Sequence, residues 1–264
     1  MDHRLKTPMY YFLKNLSWLE IIITTTVTPK MLSLLISDDN TMFLISCVTQ
    51  GYIYFVAGAA EVFLLGFMSV DRYMAICNPL RYTSIMRIQV CQLMVLSCWL
   101  WSFLSVTTSA TLTIRLPFCG PNIIDHFFCD NGPLLDMICA DVHFVQTIDL
   151  ALCCFNILSS VSVTTVSYIC IVVTVMRIPS TEGRKKAFST CSSHITVVSL
   201  YYGSAMFIYI KSPGRSSTDL NKVATVLNTV VTPLLNPIIY TFRNKAVKEA
   251  VKDALGRMWL GIPK

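Results

Sequence analysis

The sequence predicts an all-α membrane protein, and three observations carry that expectation. Of 264 residues, 54% are hydrophobic and 14% charged, with a mean hydropathy of +0.59, which is too apolar for a soluble domain of this length. The apolar runs reach the ~20 residues that a helix needs to cross a bilayer. The period-two alternation of a membrane β-barrel is absent from them.

Six spans follow in order, at about 10–36, 46–76, 90–112, 144–176, 188–210 and 222–242. A tail, 243–264, is expected to be cytosolic and to carry a short amphipathic helix. No internal repeat or low-complexity linker divides the chain, so residues 1–264 are read as one domain. Sixteen of the 21 Lys and Arg fall on the side of the N-terminus, which by the positive-inside rule puts both termini in the cytoplasm. The net charge of +6 then belongs to a rim that anionic lipid can hold, and nothing in it points to nucleic acid.

The first span follows charged residues directly, without the pattern of a secretory signal. Its sequon, Asn15-Leu16-Ser17, lies within the span near the cytosol and is expected to stay unused. Glu20 in span one and Glu61 in span two are carboxyls at hydrocarbon depth, which lipid exposure penalises by several kcal/mol, so both are expected to face the interior or to stay protonated.

Span two ends in MSVDRYMAIC, Met68 to Cys77, where Asp71 and Arg72 stand side by side as hydrocarbon gives way to water. Two readings are open. Arg72 is either one more basic flank of a membrane helix or half of an exchangeable ion pair, and an exchangeable pair is a switch. Nearer the other end, Tyr54, Phe55, Gly58 and Ala59 share a helical face above Glu61. The small pair opens volume that the aromatic pair lines. Tyr202, Met206 and Tyr209 repeat the arrangement on span five, although such stripes also serve plain helix packing.

Cys47, at the outer mouth of span two, and Cys119, Cys129 and Cys139, in the long loop after span three, can reach one another in an oxidising compartment. The remaining cysteines lie mostly in apolar runs and read as small core residues. A metal site at His126, Cys129 and Asp130 needs a free thiolate, which a disulfide removes, so no metal is expected. In span six, Asn236-Pro237-Ile238-Ile239-Tyr240 sets a proline inside a helix, freeing a backbone carbonyl and permitting a bend.

Four long stretches carry a resemblance: LKTPMYYFLKNLSWLEI, MSVDRYMAICNPLRYTSIM, KAFSTCSSHITVVSLYYGSAMFIY and TPLLNPIIYTFRNKAVKEAV. In this order, and over nearly the whole chain, they resemble the vertebrate odorant (olfactory) receptors, rhodopsin-like G-protein-coupled receptors. Ser69-Val70 stands where that family usually has Ala-Tyr, and Tyr201 where Phe is commoner. The six spans match helices two to seven of the family's seven-helix bundle. The N-terminus and first helix of the pattern are therefore expected to be lacking, and retention in the endoplasmic reticulum is one expected consequence.

The resemblance implies further assignments. Asp71, Arg72 and Tyr73, with Asn236, Pro237 and Tyr240, would form the G-protein switch, and Glu20 and Glu61 a polar centre. Tyr54, Phe55, Gly58, Ala59, Tyr202, Met206 and Tyr209 would face one ligand cavity. Cys47 would pair with Cys129, and Cys119 with Cys139. Asp149 and Lys211, near outer helix ends, either orient a polar odorant or are solvated interfacial charges. The implied function is binding of small apolar volatile ligands and activation of an olfactory-type heterotrimeric G protein at the plasma membrane. The alternatives are a proton-coupled transporter using Glu20 and Glu61, which calls for inverted repeats that the sequence lacks, and a receptor relic that does not signal. No HExxH, GxSxG or Walker loop is present, so no enzymatic chemistry and no cofactor are expected.

Overall fold

Helices dominate the computed structural model, which describes residues 7–37, 41–120, 122–124, 126–209, 223 and 225–243. The side chains of 186, 189, 190, 205–209, 237, 238 and 240–243 lie outside that description, as does the expected tail helix. In chain order the helices are α1 (Pro8–Ile36), α2 (Leu44–Cys77), α3 (Pro79–Ile85), α4 (Ile88–Ile114), α5 (Asn131–Leu135), α6 (His143–Met176) and α7 (Thr181–Tyr209). A π-helical turn, Leu227–Val231, then runs into α8, Thr232–Arg243. Among the described residues the β structure is one isolated antiparallel bridge between Phe118 and Ile138. Four of the described helices, α1, α2, α4 and α6, are long and apolar enough to cross a membrane.

Prolines punctuate these helices. Pro8 occupies the first turn of α1, where its missing N–H costs nothing, and Pro79 does the same for α3, so the chain breaks at Asn78 between α2 and α3. The π turn has a similar cause. Pro233 has no N–H for the Thr229 carbonyl, and just before it the Thr232 N–H reaches back five residues to the Leu227 oxygen, which also accepts from the Thr232 hydroxyl at 3.0 Å. Helix α7 begins at Thr181 rather than near 188. Hydropathy marks only the stretch that lipid would cover, whereas the polar turns ahead of it are helical on local grounds. The Ser180 hydroxyl accepts from the Gly183 N–H at 3.2 Å, and Glu182 sits in the first turn, where the helix dipole favours an acid.

Helix α2 is the axle of the bundle. Of its apolar window 56% is buried, against 22% for α1, 28% for α4 and 22% for α6, whose outward faces carry Trp18, Leu96, Leu100, Leu104 and Val166. Small residues let α6 come close. A Cβ on Gly66 would stand 2.9 Å from the Ser160 hydroxyl oxygen, so the glycine makes room for Ser160 to donate to the Val62 carbonyl at 2.6 Å. One turn on, Ser69 donates to the Thr164 hydroxyl at 3.0 Å. The main apolar core joins Phe12, Leu16 and Leu19 of α1 to Leu64, Leu65 and Met68 of α2 and to Val197 of α7.

Candidate functional site

The loop between α4 and α6 is tied down before it can cover anything. The structure joins Cys47 to Cys129 and Cys119 to Cys139, the two pairings that the resemblance implied. Gln50, one turn after Cys47, bridges three segments. Its Oε1 accepts from the Cys129 N–H at 3.2 Å and its Nε2 donates to the Thr26 carbonyl of α1 at 2.9 Å. Gly51 completes the fit, since a Cβ there would meet the Cys129 carbonyl oxygen at 2.7 Å. The Cys119 and Gly120 N–H groups both donate to the Met137 carbonyl, and α5 is capped by Asp130, whose Oδ1 accepts from the Asn131 N–H at 2.9 Å.

Beneath this loop lies a cavity of about 520 Å³. Tyr54, Phe55, Gly58 and Ala59 of α2 all line it, facing Ser105 and Ser109 of α4 and Asn156 of α6. Phe128 roofs it, its ring centroid 4.5 Å from that of Tyr54, which in turn meets Phe55 edge-on at 5.2 Å. Burial pushes the Asp130 carboxyl up from its ordinary range, while the nearby His126 and the Asn131 N–H act the other way.

Among the described side chains of α7 the lining residue is Tyr201 rather than Tyr202. Neighbouring helical positions point ~100° apart, so only one of the pair can face the cavity. The Tyr202 ring is buried, and its hydroxyl meets the Ser160 hydroxyl at 2.5 Å, while the Tyr201 hydroxyl donates to the Gly58 carbonyl at 3.3 Å. The side chains of Met206 and Tyr209, and all of Lys211, lie outside the described residues. Asp149 lines the cavity, and its Oδ2 accepts from the Asn131 side-chain amide at 2.5 Å.

At the far end of α2, Asp71 is 1% exposed and Arg72 6%, so neither is a solvated flank. The Asp71 Oδ2 accepts from the Arg72 Nη2 and, at 3.1 Å, from its Nε, while Oδ1 accepts from the Tyr82 hydroxyl of α3 at 2.8 Å. Burial, with the Asp71 carboxylate beside it, pushes the Tyr82 hydroxyl well above its usual range, so it stays a donor. Tyr73 is half-buried against Ile171, Val175 and Cys191. Fully buried His194 of α7 stacks on Tyr168 of α6, and its Nδ1 lies 2.7 Å from the Tyr168 hydroxyl. Toward the middle, Glu20 and Glu61 are both buried, and Glu20 Oε1 accepts from the side-chain amide of Asn236 in α8. The side chains of Pro237 and Tyr240 lie outside the described residues.

Sequence reasoning missed Tyr82, Gln50, Ser160 and His194. Tyr82 and His194 stand inside the quoted stretches, so a polar side chain within a recognised motif was the available signal. For Gln50 and Ser160 the only cue was a polar residue in an apolar run.

Comparison with known proteins gives a consistent answer. The family described as olfactory receptor matches residues 1–258. Olfactory receptor 6T1 of Homo sapiens is 48% identical over 256 residues, which is 97% of this chain and 79% of that protein. Olfactory receptor 6E1 of Mus musculus is 49% identical over 258 residues, covering 97% of this chain and 82% of that one. The crystal structure of squid rhodopsin superposes with a TM-score of 0.71 at 18% identity, over 96% of this chain and 72% of that chain, which shows a shared fold. The chain is a multi-pass membrane protein that belongs to the olfactory receptor family, whose members are odorant-responsive, G-protein-coupled signalling receptors and not enzymes.

Proposed function

We propose that a small, mostly apolar odorant binds in the cavity beneath the disulfide-tied loop and that α2 and α7 carry the response to a G-protein surface around Arg72. In this reading the disulfide end faces outward, the Asp71–Arg72 end and both termini face the cytosol, and the protein works in the plasma membrane. The ligand favours a state in which Arg72 leaves Asp71 and α7 swings away, opening the cytosolic end to an olfactory-type heterotrimeric G protein. Glu20 and Asn236 hold the polar centre between the two ends, with Glu61 near them.

The observation that carries this reading is that one unbroken helix serves both ends. Tyr54, Phe55, Gly58 and Ala59 line the cavity, and Asp71 and Arg72 close the charge cluster, all on α2. From Tyr54 to Arg72 is ~27 Å along a helix rising 1.5 Å per residue, so the arginine cannot touch the ligand.

The test is nucleotide exchange by a purified heterotrimeric G protein on the reconstituted chain, with ligand binding measured in parallel. Gly58 offers a clean obstruction, because a Cβ there meets nothing within 4 Å. Gly58→Phe is expected to fill cavity space and abolish both binding and exchange. Arg72→Ala is expected to abolish exchange while leaving binding within a few-fold. Unchanged binding in Gly58→Phe, or full exchange in Arg72→Ala, would overturn the respective assignment.

A further inference from the structure

The wall of the cavity bears acid without a matching base. Asp130 and Asp149 supply its carboxylates, and no Lys, Arg or His stands on its described lining. The two acids differ. Asp130 is spoken for, since its Oδ1 caps α5 and His126 lies within electrostatic reach. Among the described residues Asp149, on α6, has only neutral dipoles around it: Oδ2 accepts from the Asn131 amide at 2.5 Å, Oδ1 is buried without a hydrogen-bond partner, and the Ser109 hydroxyl of α4 lies near the carboxylate. Such donors hold a carboxylate in place but do not cancel its charge. Asn131 and Ser109 are themselves lining residues, so the charge sits at the edge of the space a ligand would fill, in the same cavity as Tyr54 and Phe55.

We propose that this cavity selects small aliphatic amines in their protonated form, the ammonium resting at the Asp149–Asn131 edge and the hydrocarbon tail against Tyr54, Phe55 and Val62. The inference rests on the reading of this cavity as the odorant site and deepens it, because the ligand stays mostly hydrocarbon and gains a required charge. An uncompensated anion beside apolar walls attracts a cation more strongly than it would in water, tolerates a neutral alcohol of the same length, and repels a carboxylate.

The experiment uses the full chain in lipid nanodiscs and three probes of equal length: hexylamine, hexanol and hexanoate, each near neutral pH. Binding is read by ligand-induced thermal stabilisation, and nucleotide exchange on a G protein is read separately. Hexylamine is expected to bind about tenfold or more tighter than hexanol, with hexanoate weakest, and Asp149→Asn is expected to erase the amine preference while sparing hexanol. Asp149→Glu, which keeps the charge, should keep the preference. Equal binding of the three probes, no binding of hexylamine, or an amine preference that survives in Asp149→Asn would overturn the proposal. Failure of the receptor reading looks different: the amine ranking would hold in the binding arm while no probe drives exchange. Exchange driven equally by hexanol and hexylamine would sink the amine inference and leave the receptor reading standing.

Discussion

At its disulfide end α2 is fastened by a covalent bond and by hydrogen bonds to backbone, whereas at its other end it is held by side chains that can let go. Cys47–Cys129 and the two bonds of Gln50 fix one end to the loop and to α1. Asp71, Arg72 and Tyr82 hold the other through a buried ion pair and one hydroxyl. A backbone bond has few alternative partners, while a guanidinium can exchange a carboxylate for another acceptor at modest net cost. The contrast suits the proposed function, in which the roof of the cavity stays still while the opposite end changes partners.

Four measurements break or sharpen that contrast. The largest effect is expected from Cys129→Ser, which should cost on the order of 2 to 4 kcal/mol and show as a lower melting temperature in detergent. An unchanged melting temperature would mean that the remaining contacts, Gln50 and the Asn131–Asp149 bond among them, hold the loop without this disulfide. Next comes Gly51→Ala, whose methyl meets the Cys129 carbonyl and must push the roof aside, at about 1 to 3 kcal/mol. Thermal melting and odorant affinity should fall together; a loss of one without the other would separate the roof from the cavity.

Tyr82→Phe probes the releasable end, removing one hydrogen bond of about 1 kcal/mol from Asp71. It should raise ligand-independent nucleotide exchange while leaving odorant binding alone, and lower basal exchange would contradict the picture of a restraint. The smallest effect concerns Asp130. Because burial raises its carboxyl in the folded state, the folded form holds its proton more tightly than the unfolded one. Stability from this group is therefore full below the ordinary Asp range near 3.8 and declines as pH rises through the raised value. Hydrogen exchange across residues 128–135 should show slightly faster opening over that rise, and Asp130→Asn should flatten the trend.

The sequence announced most of this architecture where one physical signal acted alone. The ends of α1, α2, α4 and α6 fall within a few residues of the expected spans because apolar runs and their bounding polar residues coincide there. Helix α7 defeats that signal with its polar opening turns, and the π turn before Thr232 answers to Pro233 rather than to hydropathy. In the site, the aromatic and small face of α2 was legible as a period. Tyr201 and Tyr202 were not separable, since the choice between them depends on where Ser160 stands on another helix. Tyr82 escaped because its partner, Asp71, lies across the break at Asn78 and Pro79, and no periodicity survives such a break.

The reach of Gln50 also bears on how the chain is built as it leaves the ribosome. The four loop-tying cysteines are synthesised in the order 47, 119, 129, 139, so when Cys119 becomes available Cys47 is the only earlier member of the set, and a premature Cys47–Cys119 bond competes with the native one. A thiol cannot tell its partners apart by chemistry. What distinguishes them is the folded surroundings, where the Gln50 side-chain Oε1 accepts from the Cys129 N–H beside Cys47. A hydrogen bond made only with residue 129 in place adds to the stability of the native pairing over a Cys47–Cys119 bond. Gln50→Leu should therefore enrich the misbonded species in a pulse-chase on non-reducing gels, even where the mature fold tolerates it.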